Sequence, residues 1–291
     1  MLSVFAVVAA AFVPLPAHAT YAGSNGNIAF GHAESDRGGE GFTALRSLTP
    51  TGAVVGSPIQ RCAFHEFEDL PDEKGCPGHP SFSRGGGRLA FPIDGRLAVA
   101  NGDGSGRTLL PRLTNEDTEP AWTHDGKLVF TGRKAGKRNL YIVDANGMGL
   151  RRLTHRGGRS AAASELGSVA YVVGGYVRLV KPDGTRGRRL ARGGHPDFSP
   201  SGRTVVYERL RRIYSKRVKP GGKRKLVARG GVDPGFSPTG RRILFVGLEN
   251  GRRHLLITVT SGGQGRRKIF DPNVEESVEQ VGLFGPAWRP R

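Results

Sequence analysis

The sequence lacks the features that most enzyme and membrane classes require. It has only two cysteines, which excludes a disulfide-dense scaffold and a zinc site built from four cysteine ligands. No G-x-S-x-G, H-E-x-x-H or calcium-loop pattern occurs, so the sequence signatures of serine hydrolases, zinc metalloproteases and EF-hand proteins are missing. Sustained 3.6-residue hydrophobic periodicity is also missing, which argues against a helical fold.

The longest apolar segment lies at the beginning of the chain. Leu2–Val13 is apolar, two prolines follow it, and Ala17-His18-Ala19 has small residues where a signal peptidase requires them. This segment is too short to span a bilayer, and no later segment is apolar enough to do so. We therefore predict an export signal over 1–19, with an N-terminal anchor as the alternative. The mature chain, 20–291, is expected to be periplasmic or extracellular, without a transmembrane segment.

Cys62 and Cys76 are separated by 14 positions. In an exported protein such a pair most simply forms a disulfide, which would stabilise the fold by restricting the unfolded chain. The alternative is a metal site with Cys62, His65 and Cys76 as ligands. These residues lack the C-x-x-C spacing typical of zinc sites. We therefore predict a disulfide between Cys62 and Cys76.

A β-rich unit is clearest in the stretch from Thr114 to Thr154. Short β-rich runs there are separated by His124-Asp125-Gly126, by a polar loop and by Asn146-Gly147. Asp-Gly and Asn-Gly are strong hairpin signals because both accept a positive φ. The 45 glycines and 19 prolines of the chain are also typical of a turn-rich β protein. The stretch predicts a four-stranded antiparallel meander of about 40 residues, the size of one propeller blade.

The same stretch resembles a known family. Its segments EPAWTHDGKLVFTGR, NLYIVDANG and RRLT are similar to the WD40-like (PD40-type) repeat of TolB-type β-propellers. The usual form of that repeat is P-x-W-S-P-D-G, a strand, a loop and I-Y-x-x-D-x-D-G, and His124 stands where the family usually has proline. The resemblance covers nearly all of 24–291 and implies six blades in one domain. Only a few residues separate the predicted signal from the first strand, so we expect the family's usual N-terminal α/β domain to be missing.

A Pro-x-aromatic motif recurs with a period near 40 residues, which is typical of propellers. Its third positions, spaced 40, 41, 35, 38 and 52 residues apart, are Phe82, Trp122, Ala163 (a degenerate copy), Phe198, Phe236 and Trp288. No strands follow the last copy, whereas the strands predicted at Asn27–Phe30, Phe42–Ser47 and Ala53–Ile59 lack one. We therefore predict an all-β, six-bladed propeller of four-stranded antiparallel blades, closed by the Trp288 strand. An open β-sandwich is the alternative, but it does not account for these complementary ends.

The residue before each motif proline would lie at one mouth of the central channel. These positions hold His79, Glu119, His195, Asp233 and Gly285, and Ser160 occupies the equivalent position of the degenerate copy. Histidine and carboxylate side chains are ligand types for a divalent ion such as zinc or manganese. Residues on opposite blades would be too far apart to share an ion, so His195 and Asp233, on neighbouring blades, are the candidate metal pair. The alternative is a hydrated channel lining that holds no cofactor.

Two long connections are rich in acidic residues. They are Gln60–Gly78 and Asp271–Phe284, and their candidate interaction residues are Glu66, Glu68, Asp69, Asp72, Glu73, Glu275, Glu276 and Glu279. Both join an outer strand to the next innermost strand, so we expect them on one face of the propeller, beside the closing blade. Long loops on a rigid scaffold are frequent interaction sites, and a tolerated insertion is the alternative.

Basic residues are concentrated in the second half of the chain. Residues 1–145 contain 14 Lys/Arg and 15 Asp/Glu, whereas residues 146–291 contain 30 and 10. Many lie near predicted turns on the face opposite the acidic connections: Arg186, Arg188, Arg189, Lys219, Lys223, Arg224, Lys225, Arg266, Arg267 and Lys268. This asymmetry predicts either an anionic envelope polymer as a ligand or a solvated basic rim. Nucleic acid is not expected, because no stacking platform or nucleic-acid-binding motif occurs.

We expect an exported monomer that acts as a non-catalytic binding module. The resemblance implies an envelope protein as partner, since TolB-type propellers work with a lipoprotein of the Tol-Pal system. The alternative is a propeller enzyme, such as a hydrolase, lactonase or polyuronate lyase, with a metal at the channel mouth. His79, Glu119, His195 and Asp233 are the candidates for that chemistry. No catalytic residue is assigned, because a fold alone does not identify one.

Overall fold

The computed structural model describes residues 25–35, 41–51, 53–64, 79–249, 253–271 and 280–290. These residues form six four-stranded antiparallel sheets, and each sheet is one blade of a β-propeller. The predicted fold class and blade number are therefore confirmed. The other regular element in this part of the chain is a 3-10 turn, Arg84–Gly86. No described helix has the length and hydropathy needed to cross a bilayer.

Blades are numbered from the one that closes the ring, and the strands of each blade are given in the order in which they pair. The strands of blades one to three are β24 (Gln280–Pro290), β1 (Asn25–Ser35), β2 (Gly41–Leu48), β3 (Gln60–Phe64); β4 (Ser81–Phe82), β5 (Arg88–Ile93), β6 (Arg96–Asn101), β7 (Thr108–Leu109); β8 (Glu116–Trp122), β9 (Lys127–Lys134), β10 (Lys137–Asp144), β11 (Arg151–Arg152). The strands of blades four to six are β12 (Arg159–Ala163), β13 (Val169–Val173), β14 (Tyr176–Val180), β15 (Arg188–Arg192); β16 (Gly194–Phe198), β17 (Thr204–Glu208), β18 (Arg212–Arg217), β19 (Arg224–Arg229); β20 (Gly231–Phe236), β21 (Arg242–Glu249), β22 (Arg253–Thr260), β23 (Arg267–Phe270).

The ring closes through the last strand, as predicted. Strand β24 pairs antiparallel with β1 and places Trp288 opposite Ile28. The first strands of all neighbouring blades contact one another, from β4 around to β24 and back to β4. These six strands therefore form the innermost layer of the propeller. A closed ring leaves no long sheet edge exposed at the channel.

The hydrophobic core lies between blades. Among the described residues it divides into six clusters. Five of them combine side chains of two neighbouring blades, and the cluster of blades two and three around Trp122 also includes Ala163 of blade four. The motif positions all contribute buried side chains: Phe82, Trp122, Ala163, Phe198, Phe236 and Trp288. Full burial of an aromatic or aliphatic side chain stabilises a fold by about 1.5–3 kcal/mol. The motif therefore recurs because every blade boundary needs one such side chain.

The outer strand of blade one differs from the prediction. We expected it over Ala53–Ile59, but β3 spans Gln60–Phe64 and Val54 forms only an isolated bridge with Leu48. The Thr49 hydroxyl accepts a hydrogen bond from the Ala53 N–H at 3.0 Å, which holds this segment in a turn. Pro58 has no N–H to donate to a ladder, so regular pairing begins only after it.

The antiparallel order of the strands assigns each turn to one of two faces. The mouth face carries the connections into the innermost strands and the turns between second and third strands. In blade five its turn is Arg209–Arg211. The opposite face carries the other turns, including 199–203 and 218–223 of blade five and 237–241 of blade six. The predicted channel-mouth residues therefore lie on the mouth face, and the lysine-containing turn 218–223 lies on the opposite face.

Candidate functional site

A bulge recurs near the beginning of the innermost strands. The register of pairing shifts there in β8, β12, β16 and β20. The predicted channel-mouth residues have a positive φ: His79 (45°), Glu119 (53°), Ser160 (57°), His195 (50°) and Asp233 (51°). This conformation costs a non-glycine residue about 1–3 kcal/mol. Bulges change the direction in which a side chain points, so the same strain gives the same orientation in successive blades.

The five channel-mouth residues are buried, with 0–4% of their surface exposed. A hydrated channel lining, which the sequence left open, is therefore wrong for these side chains. Polar groups of four of them meet across a boundary between blades: Glu119 with Ser160, and His195 with Asp233. The bulges thus place polar groups inside the blade boundaries rather than in solvent.

Glu119, Thr131 and Ser160 form what we call the glutamate junction, between blades three and four. Glu119 Oε2 accepts hydrogen bonds from the Ser160 backbone N–H, at 2.7 Å, and from the Thr131 hydroxyl. The Ser160 hydroxyl donates to Glu119 Oε1 at 3.3 Å. Burial raises the pKa of Glu119 above its ordinary value, although the hydrogen bonds from Thr131 and Ser160 oppose that effect.

His195, Glu208 and Asp233 form the histidine junction, between blades five and six. His195 Nδ1 lies 2.7 Å from Asp233 Oδ1 and 3.3 Å from Glu208 Oε1. The Asp233 backbone N–H donates to Glu208 Oε2 at 3.1 Å. Glu208 ends β17 directly opposite Gly194, which brings its carboxylate to the bulge of β16.

The histidine junction is an ion cluster. Burial alone would lower the pKa of His195, but the carboxylates of Glu208 and Asp233 outweigh burial and raise this pKa to about 9. The imidazole is therefore protonated at neutral pH. A buried cation between two carboxylates holds the innermost strands of two blades together.

The histidine junction also has the donor set of a metal site. One ligand atom from each of His195, Glu208 and Asp233 lies within 4.8 Å of the others. An imidazole nitrogen and two carboxylate oxygens suit zinc or manganese. A divalent ion would have to displace the imidazole proton, because metal ligands bind deprotonated. The predicted pair His195 and Asp233 is thus brought together, with Glu208 as a third possible ligand.

Other predicted residues lie outside the described part of the chain. They are Cys76 and the acidic candidates Glu66, Glu68, Asp69, Asp72, Glu73, Glu275, Glu276 and Glu279. The predicted export signal, 1–19, also lies outside it. Cys62 is on strand β3, opposite Thr43, and not in the long connection where we placed it. The disulfide stays a prediction.

One turn on the mouth face lacks the glycine that three equivalent turns have at their second central position. Three turns between second and third strands have a positive φ at both central residues and glycine at the second: Asp94-Gly95, Ala135-Gly136 and Gly174-Gly175. In blade five these positions hold Leu210, at 52°, and Arg211, at 55°. Arg209 and Arg212 close the turn with reciprocal backbone hydrogen bonds of 2.8 and 3.1 Å. Leu210 is 81% exposed, the highest value among the large hydrophobic residues of the described chain.

Sequence reasoning missed Glu208, Thr131 and Leu210. Glu208 does have a sequence signal, because it is the only acidic residue between Phe198 and Val232. Leu210 stands between arginines where a hairpin would favour glycine or asparagine. Thr131 has no comparable signal, since a threonine within a strand is ordinary.

Comparison with known proteins supports the fold. No protein-family model matches the chain, and no curated protein sequence matches it. Among solved structures, TolB from Acinetobacter baumannii is similar, with a TM-score of 0.67 and 18% identity over 91% of this chain and 67% of that one. A putative TolB from Agrobacterium tumefaciens gives a TM-score of 0.64 and 15% identity, covering 91% of this chain and 99% of that one.

An enzyme also shares the fold. XC5397, a gluconolactonase from Xanthomonas campestris, gives a TM-score of 0.54 and 16% identity, covering 69% of this chain and 78% of that one. At such identities the likeness concerns architecture alone, and one propeller architecture serves both classes of protein. In fold, the chain is a TolB-like six-bladed β-propeller.

Proposed function

We propose that the protein is an exported, non-catalytic binding propeller whose mouth face holds a protein partner in the cell envelope. The observation that carries this proposal is the Leu210–Arg211 turn. Its backbone has the same positive φ values as the glycine-containing turns, yet it displays an apolar side chain to solvent. The likeness to TolB structures supports the cell envelope as the place of action.

The turn is costly to the fold. A left-handed conformation costs a non-glycine residue about 1–2 kcal/mol, and here two adjacent residues adopt it. The equivalent Asp94-Gly95 turn has the same positive φ values with glycine at its second position, where a positive φ carries no steric cost. Residues that break a local rule without a structural gain are typical of functional sites. We therefore infer that Leu210 is displayed for contact.

The chemistry of the turn indicates what kind of partner it fits. Leu210 is flanked by Arg209, Arg211 and Arg212, of which the last two are exposed. The nearby carboxylate of Glu208 faces inward to His195 and does not neutralise the arginines at the surface. The partner would therefore present an apolar pocket rimmed by acidic residues.

The interior of the mouth supports binding over catalysis. At both junctions the polar side chains pair with one another, and all of them except the partly exposed Glu208 are buried. Such groups are already satisfied and make the blade boundaries rigid. A rigid ring that displays a loop is a suitable scaffold for recognition.

The test is the double substitution Leu210→Asn/Arg211→Gly, which installs an Asn-Gly turn. The immobilised protein would be exposed to envelope extract and washed at high salt, and bound proteins would be identified. We expect a discrete partner that the double variant no longer retains. The same variant should be more stable than the original protein, by about 1 kcal/mol or more in urea unfolding, because the backbone strain is relieved.

Ala135→Asn is the matched control, because it puts asparagine at the equivalent position of an Ala135-Gly136 turn. It should leave retention of the partner unchanged. A more stable double variant that still retains the same partner would show that Leu210 is not the contact, and the proposal would then be wrong.

A second function is favoured by the donor set of the histidine junction. There the protein would be a metal-dependent lactone hydrolase, and its similarity to a gluconolactonase structure supports this class. The measurement is lactone turnover after addition of zinc or manganese. Turnover that disappears in Asp233→Asn but not in the control His155→Ala would support the enzyme. No turnover with either ion would exclude it for the lactones tested.

A further inference from the structure

A groove lies between blades five and six on the face opposite the mouth. Its volume is about 1010 Å3. Turns 199–203 and 218–223 of blade five form one side, and turn 237–241 of blade six forms the other. Five of its lining residues are cationic: Lys216, Arg217, Lys219, Lys223 and Lys225. No Asp or Glu occurs among the lining residues, all of which belong to the described chain.

The positive charge of the groove is not balanced by its own two blades on this face. From Gly194 to Gly247 the sequence contains three acidic residues, Asp197, Glu208 and Asp233. Glu208 and Asp233 point to the histidine junction on the mouth face, where His195 engages them. Asp197 is fully buried, and its carboxylate accepts a hydrogen bond from the Phe236 backbone N–H at 2.7 Å. None of these three carboxylates therefore lies at the surface beside the lysines of the groove. Such a surface attracts polyanions.

The groove also offers fixed hydrogen-bond donors. Ser201, Ser215, Thr239 and Ser261 line it, and hydroxyl groups can donate to an anionic oxygen. The ammonium group of Lys216 is held by the Leu190 carbonyl at 2.9 Å. Lys219, Lys223 and Lys225 are exposed, so their ammonium groups can move to meet successive anionic groups of a polymer. Fixed hydroxyls beside mobile ammonium groups suit tetrahedral anions, which accept from several directions.

Nucleic acid fits the groove less well than a polymer without bases. Binding of single strands relies on exposed aromatic side chains on which bases stack. The aromatic lining residue of the groove is Phe236, which is only 4% exposed. The groove therefore provides charge and hydroxyl donors along the backbone of a ligand, but no platform for bases.

We propose that this groove binds a linear polymer of repeating phosphate groups without nucleobases. The inference goes beyond the protein-binding function, since it concerns the opposite face and different residues. Substitutions in the groove leave the Leu210 turn intact, so the two proposals can fail independently. The polymer would lie across the boundary between blades five and six, with its phosphates among the lysines.

The probe is inorganic polyphosphate, and the measurement is its dissociation constant at several salt concentrations. The groove variant is Lys219→Gln/Lys223→Gln/Lys225→Gln, which removes three exposed charges. The matched control is Lys134→Gln/Lys137→Gln/Arg192→Gln, which removes three exposed charges from strand ends on the mouth face. We expect about tenfold or greater weakening in the groove variant and less than about twofold in the control, with a salt dependence that is shallower only in the groove variant.

Two further ligands identify the chemistry. Poly-glutamate carries carboxylates, and oligothymidylate carries phosphates together with bases. We expect both to bind more weakly than polyphosphate. Equal weakening in the groove and control variants would overturn the groove as the site. Binding of poly-glutamate as tight as that of polyphosphate would overturn the phosphate assignment, and tighter binding of oligothymidylate would replace it with nucleic acid.

Discussion

The glutamate junction and the histidine junction occupy equivalent places in two blade boundaries, yet they stabilise them differently. Each begins with a residue at positive φ, Glu119 at 53° and His195 at 50°, before a motif proline. Glu119 accepts hydrogen bonds from neutral groups of Thr131 and Ser160. His195 instead lies between the carboxylates of Glu208 and Asp233. The same backbone feature, a bulge with a positive-φ residue, thus occurs both in a blade boundary held by hydrogen bonds and in one held by ion pairs.

The difference shows that the bulge fixes the geometry, whereas the chemistry depends on the side chains supplied by the second strand of the same blade and by the neighbouring blade. Removing a partner from a buried ion cluster costs more than removing one from a neutral hydrogen-bonded set, because an unpaired charge remains in the interior. The two junctions should therefore respond unequally to truncation, to pH and to isosteric substitution. Each response can be measured.

Truncation of His195 should have the largest effect. His195→Ala leaves the carboxylates of Glu208 and Asp233 facing each other without the cation between them. We expect the free energy of unfolding to fall by about 3–5 kcal/mol. The matched change Glu119→Ala should cost less, about 1–3 kcal/mol, because it strands neutral donors. Urea unfolding followed by circular dichroism measures both.

His155→Ala controls for loss of a histidine as such, because His155 is exposed. It should leave the free energy of unfolding within about 0.5 kcal/mol of the original value. Equal losses in His195→Ala and Glu119→Ala would contradict the distinction between an ionic and a neutral junction.

The pH dependence of stability should distinguish the junctions next. The pKa of His195 is raised from 6.5 to about 9 by folding. A raised histidine pKa stabilises the folded state fully below pH 6.5, and this contribution is lost as pH rises through about 9. The loss should be roughly 3 kcal/mol at most. The measurement is the difference in unfolding free energy between the original protein and His195→Gln across this window.

That difference should shrink steadily as pH rises from 6.5 to 9. Glu119→Gln provides the comparison, since it changes the glutamate junction and leaves His195, Glu208 and Asp233 in place. A difference for His195→Gln that stays constant across the window would mean that the imidazole is not protonated in the folded protein.

The fold was predictable because its signals are local and repeated. Asp-Gly and Asn-Gly mark hairpins by their backbone preference alone, and residues such as Trp122 recur because every boundary must be filled. The outer strand of blade one was not predictable in the same way. Val54 and Val55 favour a strand by composition, but the Thr49 turn and Pro58 decide where the ladder begins.

The site was predictable only where the repeat itself encodes it. The position before the motif proline predicted His195 and Asp233 as a pair on neighbouring blades, and His195 Nδ1 lies 2.7 Å from Asp233 Oδ1. Glu208 reaches the same junction through the register of β17 against β16, which no local pattern determines. Burial was also misjudged, because the bulges that turn these side chains between blades depend on a positive φ that non-glycine residues rarely adopt.

The smallest effect should come from Glu119→Gln, and it is the sharpest test of the comparison. Burial raises the pKa of Glu119, so folding favours the neutral carboxyl group, which glutamine resembles in shape and charge. The glutamine oxygen can still accept from Ser160 and Thr131, and we expect a loss of about 1 kcal/mol or less at neutral pH. For a carboxyl group with a raised folded pKa, stability falls as pH rises through its titration, whereas glutamine does not titrate. The loss should therefore become smaller as pH rises from about 4.5, the opposite of a paired carboxylate. A loss that grows with pH, measured by urea unfolding, would mean that Glu119 is stabilised as an anion and that both junctions are ionic.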